Sequence, residues 1–147
     1  EYNYIKGNEL GVHKDNEKTI KVIAGKYKNV EGPEKNHNVE PIYFHIVLNE
    51  DKEFSCDVPK EHNSFIYVLK GELEIGEKNH SKINDSSLIL LERGDQLMVK
   101  AYKKTEFLFI AGKPIGEPIA RGGPFVMNTK AEILQAVKDY HNGTFVK

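Results

Sequence analysis

The sequence is poor in the features that mark secreted, membrane-spanning and nucleic-acid-binding chains. It has one cysteine, Cys56, in 147 residues, so no internal disulfide can form and an intracellular location is the simplest expectation. Its apolar runs, such as residues 107–111, are too short to span a bilayer. The net charge is −1 and no basic stripe interleaves with aromatic residues, so we expect neither membrane nor direct nucleic-acid partners.

A two-residue hydrophobic period dominates the first two thirds of the chain. Residues 42–48, for example, place Phe44 and Ile46 on one face and Tyr43 and His45 on the other. Strands are predicted at residues 19–23, 42–48, 54–58, 64–70, 72–75, 87–91, 96–101 and 105–111. Many short strands separated by Gly, Pro, Asn and Asp predict an all-β antiparallel sandwich or barrel.

The pattern changes after residue 111. Residues 112–123 are rich in glycine and proline and predict an irregular segment. Residues 128–140 then have helical periodicity, with Thr129 and Glu132 spaced as a capping box and Gly143 placed to end the helix. We therefore expect a lead-in or linker at 1–16, a barrel at 17–127, and a helix and tail of the same domain at 128–147.

Two segments carry a resemblance to known families. The run "HNSFIYVLKGELEIG" (residues 62–76), with "ERGDQLMVKA" (92–101), resembles the strand–turn–strand of a cupin barrel. The segment from "FLFIAGKPIGEPI" through "GPFVMNT" to "DYHNGTF" (107–145) resembles the C-terminal signature of the pirin family. Pirins are built as two cupin barrels in tandem. The resemblance therefore implies a cupin-type barrel or jelly roll with one C-terminal helix, equivalent to the second barrel alone.

The pirin-like signature has two interpretations. In one, Phe125, Val126 and Met127 plug the barrel end while Glu117 and Arg121 pin the loop. In the other, the segment and the helix form a surface that meets the first barrel or another protein. The residues concerned are Glu117, Arg121, Gly123, Pro124, Phe125, Val126, Met127, Asn128, Asp139 and Tyr140.

The sequence does not have the metal ligands of a cupin at the expected positions. Cupins hold Fe(II) with two histidines two residues apart, a glutamate and a later histidine. Anchored on "YVLKG" (67–71), these positions fall on Asp57, Pro59 and Asn63, and no histidine follows the Gly94–Asp95 turn until His141. We expect no metal and no catalytic residue in this chain. The resemblance implies Fe(II) in the missing first cupin.

A metal-free ligand site at the barrel mouth remains open. Its candidate contacts are Tyr43, His45, His62 and Tyr67. His62 is expected to cap a turn or to face solvent, and His45 to be a satisfied structural histidine, so ligand contact is the alternative interpretation for both.

The leading hypothesis is a metal-free structural and protein-interaction domain that supports an iron-binding first cupin. By resemblance, the whole protein would act in the nucleus or cytoplasm as a cofactor of transcription factors. A quercetin dioxygenase-like or other cupin enzyme, with non-standard ligands drawn from Asp57, His62, Asn63 and His45, is the alternative. Loss of a partner barrel would also leave an apolar face, through which we expect a homodimer.

Overall fold

The computed structural model describes residues 4–34, 38–76 and 81–146. It divides the chain into two compact units, Glu1–Pro114 and Ile115–Lys147. In the described residues no helix has both the length and the hydropathy needed to cross a membrane.

The first unit consists of strands. In chain order they are β1 (Gly11–Lys14), β2 (Lys18–Ala24), β3 (Lys26–Tyr27), β4 (Val30–Glu31), β5 (Ile42–Leu48), β6 (Glu53–Asp57), β7 (Asn63–Lys70), β8 (Glu72–Ile75), β9 (Ile83–Asn84), β10 (Ser87–Leu91), β11 (Gln96–Ala101) and β12 (Thr105–Gly112). A six-stranded sheet has the order β1-β2-β5-β12-β7-β10, a four-stranded sheet the order β6-β11-β8-β9, and β3 pairs with β4. The strand pairs of these sheets are antiparallel.

One hydrophobic core joins the two larger sheets. The six-stranded sheet contributes Phe44, Ile66 and Phe109, and the four-stranded sheet contributes Phe54 and Leu73, each at most 1% exposed. Burying a side chain of this size contributes about 1.5–3 kcal/mol. Because successive strand residues point to opposite faces, each strand gives one row of side chains to this core and a second row to the outside.

The turn between β7 and β8 requires its glycine. Gly71 has a φ of 103°, in a region that side chains rarely adopt. A Cβ there would also lie 2.5 Å from Thr105 Oγ1. The Thr105 hydroxyl accepts a hydrogen bond from the Glu72 N–H at 3.1 Å, so the turn is tied directly to the start of β12.

The second unit holds a hairpin and the helix: β13 (Ala120–Gly122), β14 (Phe125–Met127) and α1 (Lys130–His141). Thr129 is the N-cap of α1, and its side chain and that of Glu132 form the expected capping box. The helix ends at Asn142, and Gly143 follows with a φ of 69°. The helix and its start signal are therefore confirmed, with the cap one residue before the predicted glycine.

The all-β class and all eight predicted strands are confirmed. Some strands were not predicted. β1 lies within the predicted lead-in, and the hairpin β13–β14 begins in the segment predicted to be irregular. Strands as short as β1 and β13 carry too few residues to show a period, and pairing with a neighbour defines them.

Candidate functional site: an apolar cavity and an outer sheet patch

The positions of the cupin metal ligands do not form a centre in this barrel. Asp57 ends β6, Pro59 lies in the following loop and Asn63 begins β7, and all three residues are exposed. Val58, between the first two, is the buried residue there, at 8% exposure. Within residues 4–34, 38–76 and 81–146, no group of three or more His, Cys, Asp or Glu residues is arranged to hold a metal ion. The residues at the three template positions therefore do not fit an iron.

An apolar cavity of about 490 Å³ lies between the two larger sheets instead. Ile89 and Leu91 of β10 line it from one sheet, and Ile75 of β8 and Leu97 of β11 line it from the other. Ser64 and Gln96 are among its polar lining residues. Hydrocarbon side chains offer no lone pairs to a divalent cation, but they suit an organic molecule.

Residues 87–91 hold the sequence signal for this cavity. Four successive apolar residues, 88–91, allow no assignment of an inner and an outer face by period alone. The structure shows that both faces matter: Ile89 and Leu91 line the cavity while Leu88 is 60% exposed. A short strand that is apolar on both faces could have indicated two functional surfaces.

His62 is buried, so the expectation that it faces solvent is wrong. The residue is 2% exposed, and neither ring nitrogen has a hydrogen-bond partner among the residues that the structure describes. Its backbone N–H closes a turn by donating to the Pro59 carbonyl at 2.9 Å, so the main chain and not the imidazole completes this turn. The ring borders a cleft of about 380 Å³ that also includes Glu31, Glu34 and Glu40.

Tyr43, His45 and Tyr67 do not join His62 at a barrel mouth. His45 and Tyr67 both lie opposite Leu108 of β12, on its two sides, and Tyr43 lies opposite Ile110. Residues directly opposite in antiparallel strands share a face. The three side chains therefore stand on the outer face of the six-stranded sheet, away from Phe44 and the core. His45 Nε2 lies 2.6 Å from Glu106 Oε1, so its ring is paired.

The same outer face carries a contiguous apolar surface at the β10 edge, here called the outer sheet patch. Leu88 lies opposite Tyr67 and Leu90 opposite Phe65, which in turn lies opposite Ile110. The most exposed members are Leu90 at 78%, Leu88 at 60%, Leu69 at 41% and Tyr67 at 36%. The patch consists of Phe65, Tyr67, Leu69, Leu88, Leu90, Leu108 and Ile110.

The ionisable groups of the first unit do not resemble a catalytic set. Burial, followed by the nearby Asp57 carboxylate, raises the pKa of the half-buried Cys56 thiol to about 12, which opposes formation of the reactive thiolate. Asp95 pairs with Lys60 at 3.2 Å, and the hydrogen bond from that ammonium lowers the carboxyl pKa. Both groups are explained by packing and by a surface turn.

In the second unit the signature residues serve different purposes. Asn128 Nδ2 donates to Glu117 Oε2 at 2.8 Å and to the Pro118 carbonyl at 2.9 Å, which fixes the loop before the hairpin. Arg121 is exposed and, in the described part of the chain, makes no ion pair or side-chain hydrogen bond. The interpretation that Arg121 pins the loop is therefore corrected, since Asn128 takes that role.

The interpretation of Phe125, Val126 and Met127 as a plug of the barrel end stays a prediction. Phe125 packs near Phe145 and Tyr140, with ring centroids 5.0 and 6.0 Å apart. The next residue, Val126, is 62% exposed, and Tyr140 is itself 64% exposed. The turn at Gly123, with a φ of 56°, and Pro124 joins β13 to β14. Asp139 accepts a hydrogen bond from Gln135 Nε2 at 2.8 Å along the helix.

Comparison with known proteins decides the family. A family model described as the pirin C-terminal cupin domain matches residues 43–146. The chain belongs to this family. The match covers β5 to the end of the described chain, and so includes the apolar cavity, the outer sheet patch and the signature hairpin.

Full-length relatives show how much of a pirin is represented. The chain is 34% identical to human pirin over 146 residues, covering 97% of this chain and 50% of that protein. It is 34% identical to a pirin-like protein of Caulobacter vibrioides, covering 86% of this chain and 45% of the relative. The chain thus spans about half the length of these pirins.

A solved structure confirms the cupin-type fold. The crystal structure of a quercetin 2,3-dioxygenase from Acinetobacter baumannii superposes with a TM-score of 0.86 at 29% sequence identity. It covers 99% of this chain, which in turn covers 50% of that structure. This pirin C-terminal domain therefore has the fold of one half of a longer relative.

Proposed function

We propose that this pirin C-terminal cupin domain is a metal-free, non-catalytic module that supports and orients an iron-binding cupin barrel and offers a protein-contact surface. The outer sheet patch is the observation that carries the proposal. It places Leu88 and Leu90, 60% and 78% exposed, beside two aromatic residues on one sheet face. Large exposed apolar patches mark interaction sites in soluble proteins.

Both the chemistry and the position of the patch suit a protein partner. β10 is the edge strand of its sheet, and residues 87–91 contain no charge that would discourage pairing or contact. Covering apolar surface contributes about 25 cal/mol for each Å² removed from water. A second cupin barrel, which also presents a broad sheet surface, matches these requirements.

Sedimentation velocity of the chain tests the patch directly. Without a partner barrel we expect a concentration-dependent dimer, and the double substitution Leu88→Lys and Leu90→Lys should give a monomer, because two ammonium groups would be desolvated at the interface. The matched control, Tyr4→Lys with Val12→Lys, adds the same charges at other exposed hydrophobic residues and should still dimerise. A monomeric native chain, or equal effects of the two pairs, would refute this assignment.

A chimera tests the supporting role. This chain would replace the matching half of the A. baumannii relative, of which it covers 50%. We expect one cooperative thermal transition for the chimera, and two separate transitions when Leu88→Lys and Leu90→Lys are introduced. Independent unfolding of the two halves in the unmodified chimera would show that the patch does not dock the other barrel.

For the whole protein, we propose the role that the family resemblance implies, a nuclear or cytoplasmic cofactor of transcription factors that carries Fe(II) in its first cupin. The likeness to the A. baumannii quercetin 2,3-dioxygenase supports a second candidate, dioxygenase activity located in the first cupin. Quercetin consumption with Fe(II) distinguishes where the activity would reside. We expect none from this chain alone, and turnover by it would favour the alternative of non-standard ligands.

A further inference from the structure

We propose that the apolar cavity between the two sheets binds a small, uncharged and largely apolar organic molecule that carries a hydroxyl or carbonyl group. The cavity volume of about 490 Å³ falls within the range of about 300–1,000 Å³ that is usual for small-molecule sites. This site needs no metal, and it shares only Leu90 with the outer sheet patch to which the docking role is assigned.

The cavity walls determine the apolar part of the ligand. Ile89 and Leu91 face Ile75 and Leu97 across the cavity, one pair from each sheet. A space lined by aliphatic side chains holds water poorly and takes up small hydrocarbons. A bound apolar ring would supply the dispersion contacts that these side chains lack on their cavity side.

Two polar groups on the wall determine the rest of the ligand. Ser64 lies directly opposite Leu91 in the β7–β10 pair, and Gln96 begins β11 next to Leu97. Neither side chain makes a hydrogen bond within the described residues, so the Ser64 hydroxyl and the Gln96 amide can bond a ligand hydroxyl or carbonyl. Glu92, also on the lining, disfavours an anion by like-charge repulsion.

Leu90 both lines the cavity and belongs to the outer sheet patch, so the two sites are tested separately at residues that they do not share. Ile89 lines the cavity, whereas Leu88 lies on the outer face, is 60% exposed and does not line the cavity. Substituting the larger tryptophan at residue 89 fills the cavity, while the same substitution at residue 88 leaves its volume unchanged. Leu88→Trp is thus the matched control for Ile89→Trp.

Isothermal titration with 1-naphthol, in EDTA so that metal plays no part, tests the site. We expect saturable one-to-one binding, at least tenfold weaker binding to Ile89→Trp, and binding to Leu88→Trp within twofold of the native chain. Ser64→Ala should weaken binding about three- to tenfold through the lost hydrogen bond, and the anion 1-naphthoate should bind at least tenfold more weakly than 1-naphthol.

Methyl NMR of the native chain keeps the proposal testable if Ile89→Trp does not fold. Resonances of Ile75, Ile83 and Ile89, which line the cavity, should shift on addition of 1-naphthol, while those of Val12 and Leu88 should not. Absence of saturable binding, shifts confined to the outer residues, or equal binding by the two tryptophan variants would overturn the proposal.

Discussion

At the scale of single residues, His62 is the most unusual group in the described chain. This polar side chain is only 2% exposed, and in the described residues neither ring nitrogen has a hydrogen-bond partner. Leaving one such group unpaired costs about 1–3 kcal/mol. Among the described residues, the imidazole at this position fills space and makes no hydrogen bond through its ring.

His62→Leu should accordingly be tolerated. An apolar side chain of similar volume removes the unpaired nitrogens, so the free energy of unfolding should stay the same or rise by about 1 kcal/mol. Urea denaturation measures it, with Ile66→Ala as a core control expected to cost about 2–5 kcal/mol. A loss above about 2 kcal/mol for His62→Leu would mean that the ring makes a bond essential to the fold.

Asp15 gives a prediction of pH dependence. Its Oδ1 accepts hydrogen bonds from the Glu17 and Lys18 N–H groups, both at 2.8 Å, and these lower the carboxyl pKa to about 2. Because the pKa is depressed on folding, the stabilisation is complete well above the unfolded value of 3.8 and is lost as the pH falls through about 2.

The destabilisation caused by Asp15→Asn should therefore shrink as the pH falls from about 5 toward 2. Chemical denaturation of both proteins across this range measures the difference. Glu50→Gln, an exposed carboxylate in another turn, is the control and should show no comparable trend. A destabilisation by Asp15→Asn that does not depend on pH would mean that the negative charge of Asp15 is not what stabilises this turn.

At the scale of the elements, the hairpin and helix of the second unit depend on one glycine. A Cβ on Gly122 would lie 2.4 Å from Ile133 Cγ2 on α1. Ile133 is β-branched, so its side chain cannot easily rotate away in a helix. The glycine at residue 122 therefore allows β13 and α1 to approach closely.

Gly122→Ala should destabilise the second unit by about 1–3 kcal/mol through overpacking. Ile133→Ala removes the clashing methyl group, so the double variant should lose less than the two single variants added together. Hydrogen exchange of the α1 amides measures this locally. Additive losses would show that the contact between Gly122 and Ile133 is not the cause.

The length of each element largely decided whether it could be predicted from the sequence. Strands such as β5 and β12 are seven and eight residues long and rich in aromatic and β-branched residues, so the sequence alone identified them. β1, β3 and β13 have two to four residues, and only their partner strands define them. The capping box identified α1 because its residues bond each other locally.

At the scale of the whole chain, the sequence predicted the family and showed that the cupin ligand residues are absent from their template positions. It did not predict which other surfaces are candidates for function. Tyr43, His45 and Tyr67 seemed suited to a barrel mouth, yet the cross-strand register places them on the outer face of the sheet. Ile89 and Leu91 lie in a run that is apolar on both faces, but an aliphatic residue in a cavity wall looks like any core residue until the two sheets are assembled.

We propose that this cupin acts through its surfaces and holds no metal of its own. Elemental analysis of the purified 147-residue chain, incubated with Fe(II), Mn(II) and Zn(II) and then desalted, tests this proposal. We expect far less than one equivalent of each metal, unchanged by His62→Leu. One tightly bound metal ion per chain, lost on substitution of Asp57, His62 or Asn63, would contradict it.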